Sequence, residues 1–130
     1  MKKNLILAGT FLFSLVAFSQ TNFVNSKWKP QTESPRIKYL EFKKDSLSIL
    51  FTSGREAEVM NFSQNHDSLV VKKISGTSAC AIGVEGWYRI EWLINDEKFL
   101  LHKISDDCSG RALGFTSNSF EKIHNENDKN

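Results

Sequence analysis

The two cysteines, Cys80 and Cys108, are the side chains of this sequence best suited to chemistry, and they lie 28 positions apart. A pair of thiols can form a disulfide, cycle between redox states or bind a metal ion. The Cys-x-x-Cys spacing of redox and zinc motifs is absent. His66, His102 and His124 are scattered, and none has metal-ligand spacing to another. The sequence therefore predicts no metal site and no cofactor.

The compartment of the chain decides between a disulfide and two free thiols, and the N-terminus predicts that compartment. Lys2 and Lys3 precede an apolar stretch from Leu5 to Phe18, and the small-x-small sequence Ala17-Phe18-Ser19 follows. This pattern is typical of a secretory signal peptide, predicted over residues 1–19 with cleavage near Ser19/Gln20. The mature protein should be secreted or periplasmic, where Cys80 and Cys108 form a disulfide.

Charge and motifs exclude several function classes. The chain has 17 basic and 15 acidic residues, and removal of Lys2 and Lys3 balances them. Without a basic cluster we predict no nucleic-acid partner. No second apolar stretch reaches transmembrane length, so no stable membrane insertion of the mature chain is expected. The sequence has no Gly-x-Ser-x-Gly, no Cys/His nucleophile pair and no phosphate-binding glycine loop, and we predict no catalytic residue and no enzyme activity.

The charged residues Asp106, Asp107 and Arg111 flank Cys108 and allow two interpretations. They could form a recognition loop. The preferred interpretation is a structured turn around the disulfide, in which an aspartate accepts hydrogen bonds from backbone amides and Arg111 reaches a carbonyl or carboxylate.

Aromatic residues concentrate on one predicted strand. Alternation places Trp87 on one face and Tyr88, Ile90, Trp92 and Ile94 on the other, which should point inward. The first interpretation of this inward face is core packing. The second is a ligand-binding surface formed by Tyr88, Ile90 and Trp92, since a small ligand of a barrel lies in its interior.

These residues must be positioned by strands, because short apolar segments bounded by turn residues follow one another along the chain. No segment outside the signal peptide has helical periodicity over three turns, although one helical turn could form around Gly110 to Phe115. About eight antiparallel strands in one domain form a sandwich or a barrel, and a barrel is favoured because closure removes exposed edges. The predicted strands are one around Trp28 and those at 36–42, 46–52, 56–62, 68–74, 86–94, 97–104 and 120–124.

The positions of the predicted strands define the domain organisation. We predict a leader over residues 20–26, a single β-barrel domain over 27–124 and a polar, disordered tail over 125–130. The leader should be ordered where Phe23 or Val24 finds a pocket.

Three segments carry a resemblance: Ser26-Lys27-Trp28, the segment 39–45, and the segment 104–111 with its Asp-Cys-x-x-Arg pattern, which precedes a short turn and the aromatic-x-basic strand Phe120-Glu121-Lys122. They resemble the corresponding segments of small exported bacterial lipocalin-like domains, which are calycin-type β-barrels. Ser26 stands where lipocalins have glycine, and Lys122 where they have arginine. The resemblance implies an all-β fold, an eight-stranded antiparallel up-and-down barrel preceded by the signal-peptide helix.

Trp28, at the start of the first strand, has two interpretations in such a barrel. It could close the barrel under Lys122 or Arg111 through a cation–π contact, which is the preferred prediction, or it could line a ligand site.

The leading functional hypothesis is a binding module that holds a small apolar or amphipathic ligand inside the barrel. The alternative is a structural or protein-interaction module of the cell envelope with a solidly packed barrel and an unspecified protein partner.

Overall fold

The computed structural model of the chain describes residues 22–32 and 36–125, which form eight strands and one helix. The predicted signal peptide and the tail beyond Asn125 lie outside the described residues. The elements are β1 (Ser26–Pro30), β2 (Ile37–Phe42), β3 (Ser46–Phe51), β4 (Glu56–Asn65), β5 (Ser68–Ser75), β6 (Glu85–Leu93), β7 (Lys98–Asp106), α1 (Ser109–Thr116) and β8 (Ser119–Lys122).

The strands form a closed up-and-down barrel in which every strand is antiparallel to its neighbours. Closure occurs between β1 and β8, where Trp28 lies directly opposite Lys122 and Pro30 opposite Phe120. The predicted all-β class and barrel architecture are confirmed, and the barrel is consistent with a calycin-like fold. Closure leaves no unpaired sheet edge, which would otherwise be open to aggregation.

Alternation of side chains explains how the strands form the barrel wall. On β5, Leu69, Val71 and Lys73 are buried, whereas Lys72 between them is exposed. On β6, Tyr88 and Ile90 are buried and their neighbours point outward. Successive residues of a strand face opposite sides of the sheet, so this period of two fills the interior with every second side chain.

The predicted inward position of Ile94 is wrong. Its side chain is 65% exposed, because β6 ends at Leu93 and Ile94 begins the turn to β7. Ile94, Asn95 and Asp96 all have positive φ, and Glu97 N donates to Ile94 O at 2.9 Å. The tight turn therefore rotates Ile94 away from the inward face that ends with Trp92.

Helix α1 is longer than the single turn that the sequence predicts. It spans eight residues and buries Arg111, Ala112 and Phe115. Its C-terminus is tied by Asn118, whose Nδ2 donates to Gly114 O at 2.9 Å. This helix is not long and apolar enough to cross a membrane, and the described residues contain no other helix.

The two ends of the barrel differ. Connections between alternate strand pairs meet at one end of an up-and-down barrel, so the β1–β2, β3–β4 and β5–β6 loops share one end with α1. We call it the helical end. The opposite end, here the plugged end, is filled by Phe23 of the leader, which is fully buried and stacks on Phe42 with ring centroids 4.3 Å apart. Phe23 thus occupies a pocket, which is the condition predicted for an ordered leader.

Candidate functional site

The helical end of the barrel contains a cleft of about 880 Å³ that opens to solvent. It lies between α1, the β5–β6 loop and the ends of β2, β3 and β4. Its apolar lining includes Ile37, Ile49, Phe51, Ala57 and Phe115. This volume is within the range of small-molecule sites, which are mostly apolar with a few polar groups.

Beneath this cleft lies a buried network of charged side chains that links α1 to the barrel wall. Arg111 Nε and Nη2 each donate to a different oxygen of Asp106 at 2.8 Å, which forms a bidentate pair. Arg111 Nη1 also lies 3.3 Å from Glu58 Oε2, and Ser78 Oγ donates to Glu58 Oε1 at 2.7 Å. Among the described residues, every buried side-chain nitrogen and oxygen has a hydrogen-bond partner. The network is therefore fully satisfied, which avoids the additional cost of a buried polar group without a partner.

The backbone of β7 explains why Asp106 points into this network. The pairing of β6 with β7 shifts register between Trp87 and Tyr88, so Trp87 pairs with Ser105 and Tyr88 with Lys103. The extra residue of this bulge reverses the alternation, and Asp106 faces inward. Opposite it, Gly86 provides the space, since a Cβ there would lie 2.5 Å from Asp106 Oδ2.

The preferred interpretation of the Asp106–Arg111 segment as a structured turn is confirmed. Asp106 Oδ1 accepts a hydrogen bond from Cys108 N at 2.9 Å, and Arg111 Nη2 donates to Val84 O at 3.1 Å. The carboxylate thus orients the backbone at the disulfide, and the guanidinium ties the helix to the β5–β6 loop.

Burial and hydrogen bonding shift the pKa values in this network in opposite directions. Burial raises the pKa of Tyr88, and the hydrogen bond from its hydroxyl to Asp106 raises it further. For Asp106, burial alone would raise the pKa, but hydrogen bonds from Arg111, Tyr88 and Cys108 N together outweigh it and lower the pKa. Burial likewise favours neutral Arg111, yet Asp106 and Glu58 raise the pKa of the guanidinium. Tyr88 is therefore held neutral while Asp106 and Arg111 remain charged.

The β5–β6 loop is attached to the barrel at several independent points. The predicted disulfide is confirmed: Cys80 in this loop is bonded to Cys108, with Cα atoms 5.5 Å apart. Lys73, buried on the inner face of β5, donates from Nζ to Ser78 O at 2.9 Å and to Cys80 O at 2.6 Å. Ser78 N in turn donates to Ala57 O at 2.8 Å. The loop is therefore a fixed wall of the cleft.

The residues predicted to bind ligand lie elsewhere in the barrel. Tyr88 and Ile90 are buried in the core and Trp92 packs against it, and none of the three lines the cleft. The Tyr88 ring packs edge-on against Phe115, with centroids 5.2 Å apart. The structure thus places Tyr88 behind the cleft, where its hydroxyl supports Asp106.

The three residues predicted to close the barrel separate into two locations. Trp28 and Lys122 face each other at the β1–β8 junction. Trp28 packs on Phe23 and Phe99, and its Nε1 donates to Ser26 Oγ at 2.7 Å. Arg111 instead belongs to the charged network, so it does not lie on the Trp28 ring. In the described part of the chain, cation–π contacts involve Tyr39, with Lys27 and Lys38 as the cations.

One group of side chains in the described ranges has the spacing of metal ligands. It comprises Glu58, Cys80 and Cys108. Both sulfur atoms are used in the disulfide, and the Glu58 oxygens accept from Arg111 and Ser78. The oxidised protein therefore offers no thiolate to a metal ion here.

Sequence reasoning missed the cleft and two buried charged residues near it, Glu58 of the network and Lys73, which holds the β5–β6 loop. A usable signal existed for Lys73, because it continues the inward series of Leu69 and Val71 at intervals of two. The same signal existed for Glu58, which continues the inward series of Phe62 and Met60 at intervals of two. The β3–β4 pairing shifts register between Ile49 and Leu50, so the alternation is interrupted at the neighbouring Ala57.

Comparison with known proteins adds no relative from which the roles of these residues could be inferred. The chain matches no protein-family model, no curated protein and no solved structure.

Proposed function

We propose that this protein is an exported lipocalin-like binding module that holds a small apolar or amphipathic ligand in the cleft at the helical end. The observation that carries the proposal is a solvent-open cleft of about 880 Å³ beside the packed hydrophobic core of the barrel. Its location differs from the predicted site around Tyr88, Ile90 and Trp92.

The apolar side chains that line the cleft favour a ligand whose main part is apolar. Ile37, Ile49 and Phe115 are buried, and all three line the cleft. Burying apolar ligand surface against such a wall is favourable by roughly 25 cal/mol per Å² before the costs of association. The fixed β5–β6 loop preorganises the wall, which reduces those costs.

Binding can be tested with the neutral, apolar fluorophore N-phenyl-1-naphthylamine. We expect saturable fluorescence enhancement with wild-type protein and a loss of about tenfold or more in affinity for Ala79→Trp, because Ala79 lines the cleft and is exposed, so the indole fills it without disturbing the core. Thr77→Trp is the matched control, since Thr77 lies on the same loop, is exposed and does not line the cleft. Equal affinity of both variants, or no saturable binding to wild type, would refute the proposal.

A second proposal, an envelope interaction module, has support from the packing of the plugged end. Phe23, Trp28 and Phe99 are buried there, and the rings of Phe23 and Trp28 each pack edge-on against Phe99 with centroids 4.9 Å apart. Such a packed interior serves stability and leaves recognition to the surface. This module becomes the better proposal if the cleft binds none of a series of apolar probes of different sizes.

A further inference from the structure

Four charged side chains border the cleft, and two of them neutralise each other. Glu58 and Arg111 form the buried pair already described. The other two, Arg36 and Asp107, are exposed, and within the described residues neither side chain forms an ion pair or hydrogen bond. The cleft therefore presents one positive and one negative charge that have no side-chain partner among the described residues.

These two charges lie towards opposite ends of α1. Asp107 directly precedes Cys108, the N-cap residue of the helix. Arg36 lies near the C-terminal half, because the following residue, Ile37, has its Cδ1 3.3 Å from a Cβ built on Gly114. Thr32, also at the mouth, donates from Oγ1 to Asn118 Oδ1 at 2.6 Å, just beyond the helix. An eight-residue helix is about 12 Å long, which sets the scale of the separation.

We propose that the cleft binds a dipolar ligand, an elongated molecule with an apolar body, an anionic group at Arg36 and a cationic group at Asp107. This inference rests on the proposed function, since it assigns the ligand class of the same cleft. The Arg36 guanidinium can meet a carboxylate with two parallel hydrogen bonds. The Asp107 carboxylate accepts from an ammonium group, and its charge disfavours a second anion at that end. The apolar lining between them excludes a ligand that is polar throughout.

The cleanest test exchanges the two charges and follows one ligand. The probe is 10-aminodecanoate, whose extended length matches the helix, and its affinity is measured by displacement of N-phenyl-1-naphthylamine. We expect Arg36→Glu and Asp107→Lys each to weaken 10-aminodecanoate binding about threefold or more, the scale of a solvent-exposed ion pair. The double variant should recover most of the affinity, because the ligand can bind in the reversed direction.

Controls separate this inference from the proposed function. Arg55→Glu reverses an exposed charge at the same end outside the cleft lining and should leave all affinities unchanged. Decanoate should bind more tightly to Asp107→Lys than to wild type. If the neutral fluorophore binds but the double variant does not recover affinity for 10-aminodecanoate, the proposal of a dipolar ligand is overturned. The cleft then remains a binding site. If the neutral fluorophore does not bind wild type, the proposed function fails and this inference falls with it.

Discussion

Arg111 and Asp106 form a bidentate pair with two hydrogen bonds of 2.8 Å, and this contact joins helix α1 to the last residue of β7. Both side chains are almost completely buried. Because Arg111 also reaches Glu58 and the carbonyl of Val84, one guanidinium connects the helix, two strands and the β5–β6 loop. This connection, together with the disulfide and the contacts of Lys73, holds the walls of the cleft in place.

Substitution of Arg111 should be among the most damaging changes to the fold. Arg111→Met leaves Asp106 and Glu58 buried without their cation, and we expect a loss of about 3–5 kcal/mol in the free energy of unfolding. Urea denaturation followed by tryptophan fluorescence measures it. The control is Arg55→Met, an exposed arginine at the same end of the barrel, which should change stability by less than about 0.5 kcal/mol. Similar stabilities of the two variants would contradict the role of the network.

Acid should destabilise the protein through Asp106. The pKa of this carboxyl is lowered in the folded state, so it contributes stability above its unfolded pKa near 3.8, and that contribution is lost as pH falls through the lower folded value. Asp106→Asn should be less stable than wild type at pH 6, with a difference that shrinks below about pH 4. Denaturation midpoints at pH 6, 4 and 3 provide the comparison, with Asp107→Asn as the exposed control. A difference that stays constant with pH would contradict the prediction.

Tyr88 should resist ionisation in alkaline solution. Burial first, and then the hydrogen bond to Asp106, raise its pKa, so the phenol stays neutral while the protein is folded. An unfolded tyrosine ionises near pH 10, and the folded state therefore loses stability as pH rises above about 10. The chain has two tyrosines, so Tyr39→Phe isolates Tyr88 for titration by phenolate absorbance. At pH 10.5 we expect no phenolate in the folded variant and about three-quarters ionisation in denaturant. Equal titration in both states would disprove the assignment.

The leader should be an integral part of the barrel. Phe23 is fully buried against Phe42, Trp92 and Phe99, and its N–H donates to Gln64 Oε1 at 3.1 Å. We expect Phe23→Ala to cost about 3–5 kcal/mol in the free energy of unfolding, as for other buried aromatic side chains. Val24→Ala, at the partly exposed neighbouring residue, should cost about 1 kcal/mol or less. The measurement is thermal and urea unfolding, and a small effect at Phe23 would show that the plug is dispensable.

The disulfide should stabilise the protein without being required for its fold. A Cys80→Ala/Cys108→Ala variant loses about 3.5 kcal/mol in the chain-entropy model. We expect it to keep the barrel, because Lys73 still holds the β5–β6 loop through two backbone carbonyls. Backbone amide chemical shifts should therefore change near α1 and this loop, while those of β1 and β2 stay the same. If the prediction holds, the double cysteine variant stays folded and unfolds only when Lys73→Met is added. A double cysteine variant that is already unfolded would contradict the prediction.

Local sequence patterns were sufficient for most of the architecture. Alternating apolar residues and turn residues predicted strands close to their observed bounds, and the spacing of Cys80 and Cys108 with the predicted export indicated the disulfide. Alternation failed at Ile94, because the backbone leaves the regular strand there through a turn of positive-φ residues.

By itself, the sequence of this protein determined the fold class, because burying every second side chain of eight short strands needs only local alternation and a closed sheet. Tertiary structure alone decided where the cleft lies and what surrounds it. The Tyr88, Ile90 and Trp92 face was correctly expected inside, but whether an inward face lines a cavity depends on what packs against it. Phe23 fills one end of the barrel, and helix α1 leaves the other end open, because these contacts join residues far apart in the chain.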